Sequence, residues 1–233
     1  MADLLSIASF IVCAIFIFYF LHKFGLSGLF VYSVIIVIAS NIQVLKVTKY
    51  SFFDVPVPLG TVLFSTMFAV DNIINEHFGL EQAKKCVYLG FAGYLFFAII
   101  MLLADWHPVV NETSCANMYN EIHSLFSPSM VFFISSISAF LVGQLCDVYV
   151  FDYLKKKIKN LSIRSGLTMM LSTFVDNFVF SVLAWKIFSS MQIPWHDIFY
   201  TYILGSTLFR FVIAIICVPL VKLSGRFVKK VES

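Results

Sequence analysis

Residues Ser129 to Phe151 read SMVFFISSISAFLVGQLCDVYVF, and Lys155-Lys156-Lys157 follows a few positions on. The stretch is 23 residues long. At the helical rise of about 1.5 Å per residue it reaches roughly 34 Å, enough for the ~30 Å hydrocarbon core of a bilayer. Lipid offers no partner to backbone N–H and C=O groups, so such a segment crosses as a helix. Yet it contains Gln144 and Asp147, three residues apart and hence on one helical face. A carboxylate at mid-membrane costs at least about 2.5 kcal/mol unless it faces a protein interior or a watery cavity. This stretch alone predicts a membrane helix with one face turned to a polar interior.

Six more apolar runs surround it: Leu4 to Leu21, Ser27 to Leu45, Val57 to Ile74, Cys86 to Ala104, Ser165 to Ile187 and Ile198 to Val221. The 233-residue chain is 60% hydrophobic and 12% charged, with 27 phenylalanines, whereas soluble domains carry about a quarter charged residues. The expectation is an all-α polytopic membrane helical bundle of about seven transmembrane helices, forming one domain over residues 1–233. What remains is enough only for short connections, leaving no room for a cytosolic ATPase or catalytic domain, and no Gly-x-x-x-x-Gly-Lys-Ser/Thr loop is present. The first run follows Asp3 rather than a basic region, so it reads as a retained helix and not as a secretory signal.

Basic residues set the orientation, because loops on the cytoplasmic side are enriched in Lys and Arg. Lys155, Lys156, Lys157, Lys159 and Arg164 mark the fifth connection as cytoplasmic, and the connection from Asp105 to Pro128 has neither Lys nor Arg. Alternation then puts Lys23, Lys84, Lys85, Lys222, Arg226, Lys229 and Lys230 inside, and Lys46, Lys49 and Lys186 outside. The N-terminus is expected outside and the C-terminus in the cytoplasm, in the inner (plasma) membrane. Topology accounts for the net charge of +3 without a nucleic-acid partner. The cysteines Cys13, Cys86, Cys115, Cys146 and Cys217 are scattered singly and the five histidines show no paired spacing, so neither a metal nor a cofactor is expected. The sequons at Asn111 and Asn160 read as chance occurrences.

The other membrane runs also carry polar groups. Ser40, Asn41 and Gln43 lie in the second; Asp71, Asn72, Asn75 and Glu76 lie in or just after the third; Asp176 and Asn177 lie in the sixth, and Arg210 in the seventh. Asp71 and Asn75 share a face by spacing, as do Asn72 and Glu76. Asp176 and Arg210 sit eleven or twelve residues into their runs and are expected to pair near the midplane. A short echo links Phe-Ala-Val-Asp71-Asn72 to Thr-Phe-Val-Asp176-Asn177, which either reflects an inverted repeat of two three-helix units or arises by chance. One reading of all these groups is glue between helices, notably for Asn41, Gln43, Ser172 and Asn177. The other is a ligand or ion path, favoured by the carboxylates.

Two stretches carry a resemblance: Ile73-Ile-Asn75-Glu76-His-Phe78-Gly79 with Ala83-Lys-Lys, and Gly143-Gln144-Leu-Cys-Asp147-Val-Tyr-Val-Phe151. Together with Arg164, Ser172, Asp176, Phe180, Arg210 and Pro219 at matching spacing, they make the chain from about Ser40 to Lys222 similar to the queuosine precursor transporter family, also called the putative vitamin uptake transporters. Three places depart from the family pattern: Asn72, with Asp71 one step earlier, where Asp is usual, Arg210 where Lys is usual, and Cys217-Val218 where a more polar pair is usual. The resemblance implies a six-helix core over residues 27–225 behind an extra N-terminal helix over residues 1–26. It also implies import of a 7-deazaguanine base (preQ0, preQ1 or queuine) for tRNA modification, with no chemistry on the substrate. The expected substrate-binding residues are Asn41, Asp71, Asn72, Asn75, Glu76, Gln144, Asp147, Asp176 and Arg210. Two alternatives stay open: the substrate-binding component of an energy-coupling vitamin transporter, and a structural membrane protein that transports nothing. Besides the purine-like substrate and the bilayer, a second copy of the chain and an energising ATPase module are the partners these readings would need. Gly-x-Ser-x-Gly and His-Glu-x-x-His are absent, so an intramembrane enzyme is not expected.

Overall fold

A 42-residue helix, α1 (Ala2–Gln43), opens the chain, and drawn straight it would be about 63 Å long. It cannot be straight. Near its start the Asp3 carboxylate accepts hydrogen bonds from the Ser51 backbone N–H at 3.0 Å and the Ser51 hydroxyl at 2.6 Å, and the Ser6 hydroxyl lies 2.9 Å from the Tyr50 hydroxyl. Residues just past its far end thus return to its beginning. The reversal is at Gly25, whose φ of 57° and ψ of −135° suit glycine alone. At Gly28 a Cβ would meet the Phe20 carbonyl oxygen at 2.5 Å, so only glycine lets the second arm leave so close to the first. The two arms are the first two expected helices, Leu4 to Leu21 and Ser27 to Leu45.

The computed structural model describes residues 2–44, 46–51, 53–108, 130–188 and 193–228. After α1 come two short antiparallel strands, β1 (Val47–Tyr50) and β2 (Phe53–Pro58), paired Val47 to Pro58, Thr48 to Val57 and Tyr50 to Phe53. Five helices follow: α2 (Gly60–Phe78), α3 (Leu80–Asp105), α4 (Met130–Lys155), α5 (Leu161–Val182) and α6 (Ser206–Val228). A π-helical turn extends α5 through Leu183–Ile187, and the turn Trp195–Asp197 with the π-helical segment Ile198–Gly205 leads into α6. Counting α1 as two arms, the described residues form seven helical rods. Most of the Asp105 to Pro128 connection lies outside the described residues, with Asn111 and Cys115, as do Lys229 and Lys230.

One boundary needs correction. A helix was expected from Val57, but Val57 and Pro58 belong to β2 and the helix begins at Gly60. Proline disfavours helical backbone in the residue before it and lacks an N–H, and Pro56-Val57-Pro58 applies both effects twice. Gly60 then passes so close to α1 that a Cβ would sit 2.1 Å from the Ser40 carbonyl oxygen.

The bundle turns apolar side chains outward and, beside an apolar core that includes Ile17, Val37, Met67 and Ile73, buries a set of polar ones. Leu4 and Phe96 are 71% and 67% exposed, whereas Asp71, Asn72, Gln144 and Asp147 are 0% exposed. That inversion suits lipid as solvent. Five helices among the described residues are long and apolar enough to cross a membrane, α1 counted once. The exception is α2, the central rod, in which every residue from Gly60 to Asn75 except Phe64 is buried. It packs against α1, α3, α4 and α6.

Ion pairs fix which helix ends lie together. Lys155, at the end of α4, donates to the carbonyls of Asn75 and Glu76 at the end of α2, at 3.0 and 2.9 Å, with its ammonium 3.5 Å from the Glu76 carboxylate. Arg164, in the first turn of α5, also pairs with Glu76, and His77 meets Ser224 near the end of α6 at 2.8 Å. At the opposite end Tyr50 of the hairpin stacks on Phe209 near the start of α6, with ring centroids 4.7 Å apart. Asn160 caps α5, its side-chain oxygen accepting from the N–H groups of Ser162 and Ile163. That is a structural use for the second sequon.

Candidate functional site

Helical spacing places Asp71 and Asn75 on one face of α2, and a single contact aims that face. The Asn75 amide N–H donates to the Val148 carbonyl of α4 at 2.8 Å, pinning the pair beside Asp147. The two carboxylates, Asp71 and Asp147, are close enough for their charges to interact. On α4, Gln144 lies one turn before Asp147. On α5, Ser165, Thr168, Ser172 and Asp176 recur at intervals of three and four, all buried, and make a polar stripe. Gly143 lets this stripe approach α4: a Cβ there would lie 2.8 Å from Asp176 Cβ.

Nearly all the polar atoms at this junction lack a hydrogen-bond partner. Both oxygens of Asp71 and of Asp147, both ends of the Asn72 and Gln144 amides, the Asn75 Oδ1 and the hydroxyls of Ser165, Ser172 and Thr173 are buried and unpartnered. Folded proteins satisfy about nine in ten buried polar groups, and each orphan costs about 1–3 kcal/mol, more if charged. Orphans concentrated on three adjoining helices make this junction the candidate site. One turn towards the hairpin end, Phe68 of α2 lies at a T-shaped 5.5 Å from Phe64, which in turn lies 6.1 Å from Phe140 of α4. Phe68 and Phe140 precede Asp71 and Gln144 by three and four residues, so flat apolar surfaces border the polar cluster.

Charge balance separates the cluster from its surroundings. Arg210 donates to Asp176 at 2.6 Å, so the expected pair joins α5 to α6. Arg164 and Lys155 are engaged by Glu76 at the far end of α2. Asp71 and Asp147 have no cationic partner among the described residues.

Of the nine expected site residues, Asp71, Asn75, Gln144 and Asp147 lie along the α2–α4 contact, and Asn72, next to Asp71 but about 100° round α2, is buried with both ends of its amide unpartnered. Asp176 borders them across Gly143, with Arg210 behind it. Glu76 lies one turn further down α2, inside the ion cluster with Arg164 and Lys155. Asn41 lies elsewhere: its amide donates to the Val37 carbonyl of its own helix at 2.8 Å and its oxygen accepts from Ser136 of α4 at 2.8 Å, a satisfied knot between two helices. Ser172, left open between glue and site, is buried and unpartnered on α5, as are Ser165 and Thr173, which had not been singled out. Their signal was the spacing of Ser172 to Asp176, four residues, matching that of Asp71 to Asn75.

Residues 58–224 match the family described as "Putative vitamin uptake transporter". A Bacillus subtilis protein described as "Probable queuosine precursor transporter" is 26% identical over 212 residues, covering 88% of this chain and 86% of that protein. A Haemophilus influenzae protein of the same description is 27% identical over 128 residues, covering 54% of this chain and 50% of its own length. No solved structure matches.

Proposed function

The chain belongs to the family of putative vitamin uptake transporters, and on that premise we propose that it imports a 7-deazaguanine precursor of queuosine across the membrane, for use in tRNA modification. The observation that carries this reading is the cluster of unpartnered groups on Asp71, Asn72, Asn75, Gln144 and Asp147. A guanine-type base presents ring N–H and exocyclic amine donors side by side, which a carboxylate accepts as a pair, and next to them a carbonyl that an amide N–H reaches. Asp147 and Gln144, one turn apart on α4, supply that combination. The flat ring suits the aromatic border at Phe68 and Phe140. The substrate passes through unchanged.

The two ends of the bundle would serve as alternating closures. The Glu76, Arg164 and Lys155 cluster ties α2, α4 and α5 at one end, and the hairpin, latched by Asp3 and Ser6, lies at the other. We place the first end in the cytoplasm and the N-terminus outside, supported by Lys84, Lys85, Lys155, Arg164, Lys222 and Arg226 on that side. A cysteine introduced at Lys156 should resist an impermeant thiol reagent in intact cells and react in inverted vesicles; the opposite pattern reverses the topology.

The functional test uses cells that neither synthesise queuosine precursors nor import them by another route. Expressing this chain should restore queuosine in tRNA when preQ0, preQ1 or queuine is supplied, and Asp147→Ala should abolish the gain while the protein remains in the membrane. Queuosine levels that do not depend on the chain with any of the three would remove the proposal.

A further inference from the structure

The site holds one carboxylate more than a guanine edge requires. Asp147 has Gln144 beside it, a mixed corner that both accepts and donates, as the edge of a guanine-type base demands. Asp71 has a different neighbour. One N–H of the Asn75 amide donates to the Val148 carbonyl, while Asn75 Oδ1 has no partner. Asp71 and Asn75 therefore offer three unpartnered acceptor oxygens, Asp71 Oδ1 and Oδ2 and Asn75 Oδ1, on a single helical face.

Nothing nearby neutralises that corner. Cys86 of α3 adjoins both Asp71 and Ser33 of α1, the latter at 3.1 Å, and its neutral thiol is at most a weak donor that brings no charge. From α4 comes Asp147, which is itself acidic. From α5 and α6 come Asp176 and Arg210, which satisfy each other. Glu76 further down α2 is matched by Arg164 and Lys155. A neutral base lying on Asp147 would leave Asp71 buried as a second, unmatched carboxylate, which low-dielectric surroundings penalise. A primary ammonium group has three N–H donors and one positive charge, and so matches three acceptors and one carboxylate.

We propose that Asp71, with Asn75, is the specificity-determining corner of the site and receives a cationic amine carried on the base, so that the chain prefers 7-aminomethyl-7-deazaguanine to its neutral 7-cyano counterpart. This rests on the proposed base-import function and adds which substituent the site selects. The two ligands differ only at that substituent, so the guanine edge and the ring contacts cancel in their comparison.

The test is uptake of each radiolabelled base into proteoliposomes containing the purified chain, with membrane orientation and protein content held equal. The wild-type chain should take up the aminomethyl base at concentrations about tenfold or more below those needed for the cyano base, as a charge-assisted contact predicts. Asp71→Asn should raise the half-saturating concentration of the aminomethyl base and leave that of the cyano base nearly unchanged, closing the gap. Asp147→Asn should weaken both alike. Equal uptake of the two bases by the wild-type chain overturns the proposal without use of any variant, as does an Asp71→Asn chain that weakens both equally. Wild-type uptake of neither base would overturn this assignment, and the underlying import function falls with it only when queuine is not taken up either.

Discussion

Phe68-Ala-Val-Asp71-Asn72 in α2 and Phe174-Val-Asp176-Asn177 in α5 are nearly the same words set in two places. In α5 every charge is matched. Asp176 holds Arg210 at 2.6 Å, and the Asn177 amide lies within 2.8–3.3 Å of Tyr202 O, Ile203 O, Ser206 Oγ and Thr207 Oγ1. In α2 all four polar side-chain atoms of Asp71 and Asn72 are orphans. The difference comes from the neighbours. Facing α5 are Arg210 and a π-helical approach to α6 whose widened turns leave backbone carbonyls at Tyr202 and Ile203 within reach of a side chain. Facing α2 are helices that bring no cation to Asp71. An Asp-Asn pair is thus a bolt where a partner answers it, and where none does it is the surface we propose for binding.

The sharpest way to break this comparison is to neutralise each aspartate in turn. Asp176→Asn leaves Arg210 buried without its counter-charge and should destabilise the protein by about 3–5 kcal/mol, read as a fall in folded yield and in thermal midpoint in detergent. Combining it with Arg210→Gln should restore most of the loss, because the double change removes both charges. Asp71→Asn removes a carboxylate that nothing stabilises, so its midpoint should stay level or rise, in keeping with binding sites that are strained when empty. Equal losses from Asp71→Asn and Asp176→Asn would mean that the two aspartates do the same job.

How far the sequence announces these roles depends on range. Apolar runs of about twenty residues set the seven rods, and spacing of three and four set which polar residues share a face, since both depend only on chain-local geometry. The depth of Asp176 and Arg210 in their runs was enough to pair them. Strands of four and six residues leave too short a pattern to register, and the hairpin at Val47–Pro58 was read partly as loop and partly as helix. Asn41 and Asn75 were both amides in membrane runs. One meets Ser136 across ninety-five positions and the other Val148 across seventy-three, and only the fold assigns the first to a knot and the second to the cluster. Glu76 was likewise ambiguous until Arg164, eighty-eight positions away, came to lie against it.

The asparagines give the smaller and cleaner contrast. Leucine nearly matches asparagine in shape, so Asn→Leu removes hydrogen bonding while keeping volume. The Asn177 NH2 has two protons for four surrounding acceptors, so Asn177→Leu deletes at most two hydrogen bonds. Interhelical hydrogen bonds in membranes are worth about 0.6 kcal/mol on average and up to about 1.7. Asn177→Leu should therefore cost about 1–2 kcal/mol and loosen the start of α6, which faster hydrogen exchange at residues 202–207 would report. Asn72→Leu deletes no hydrogen bond of the empty protein, and replacing an orphaned polar group with an apolar one is neutral or favourable. Its thermal midpoint should match or exceed that of the wild-type chain, while uptake of the base falls because an amide that would face the ligand is gone. If Asn72→Leu melts as early as Asn177→Leu, the Asn72 amide already has a partner in the empty protein. The cluster on α2 would then be structural, as the pair on α5 is.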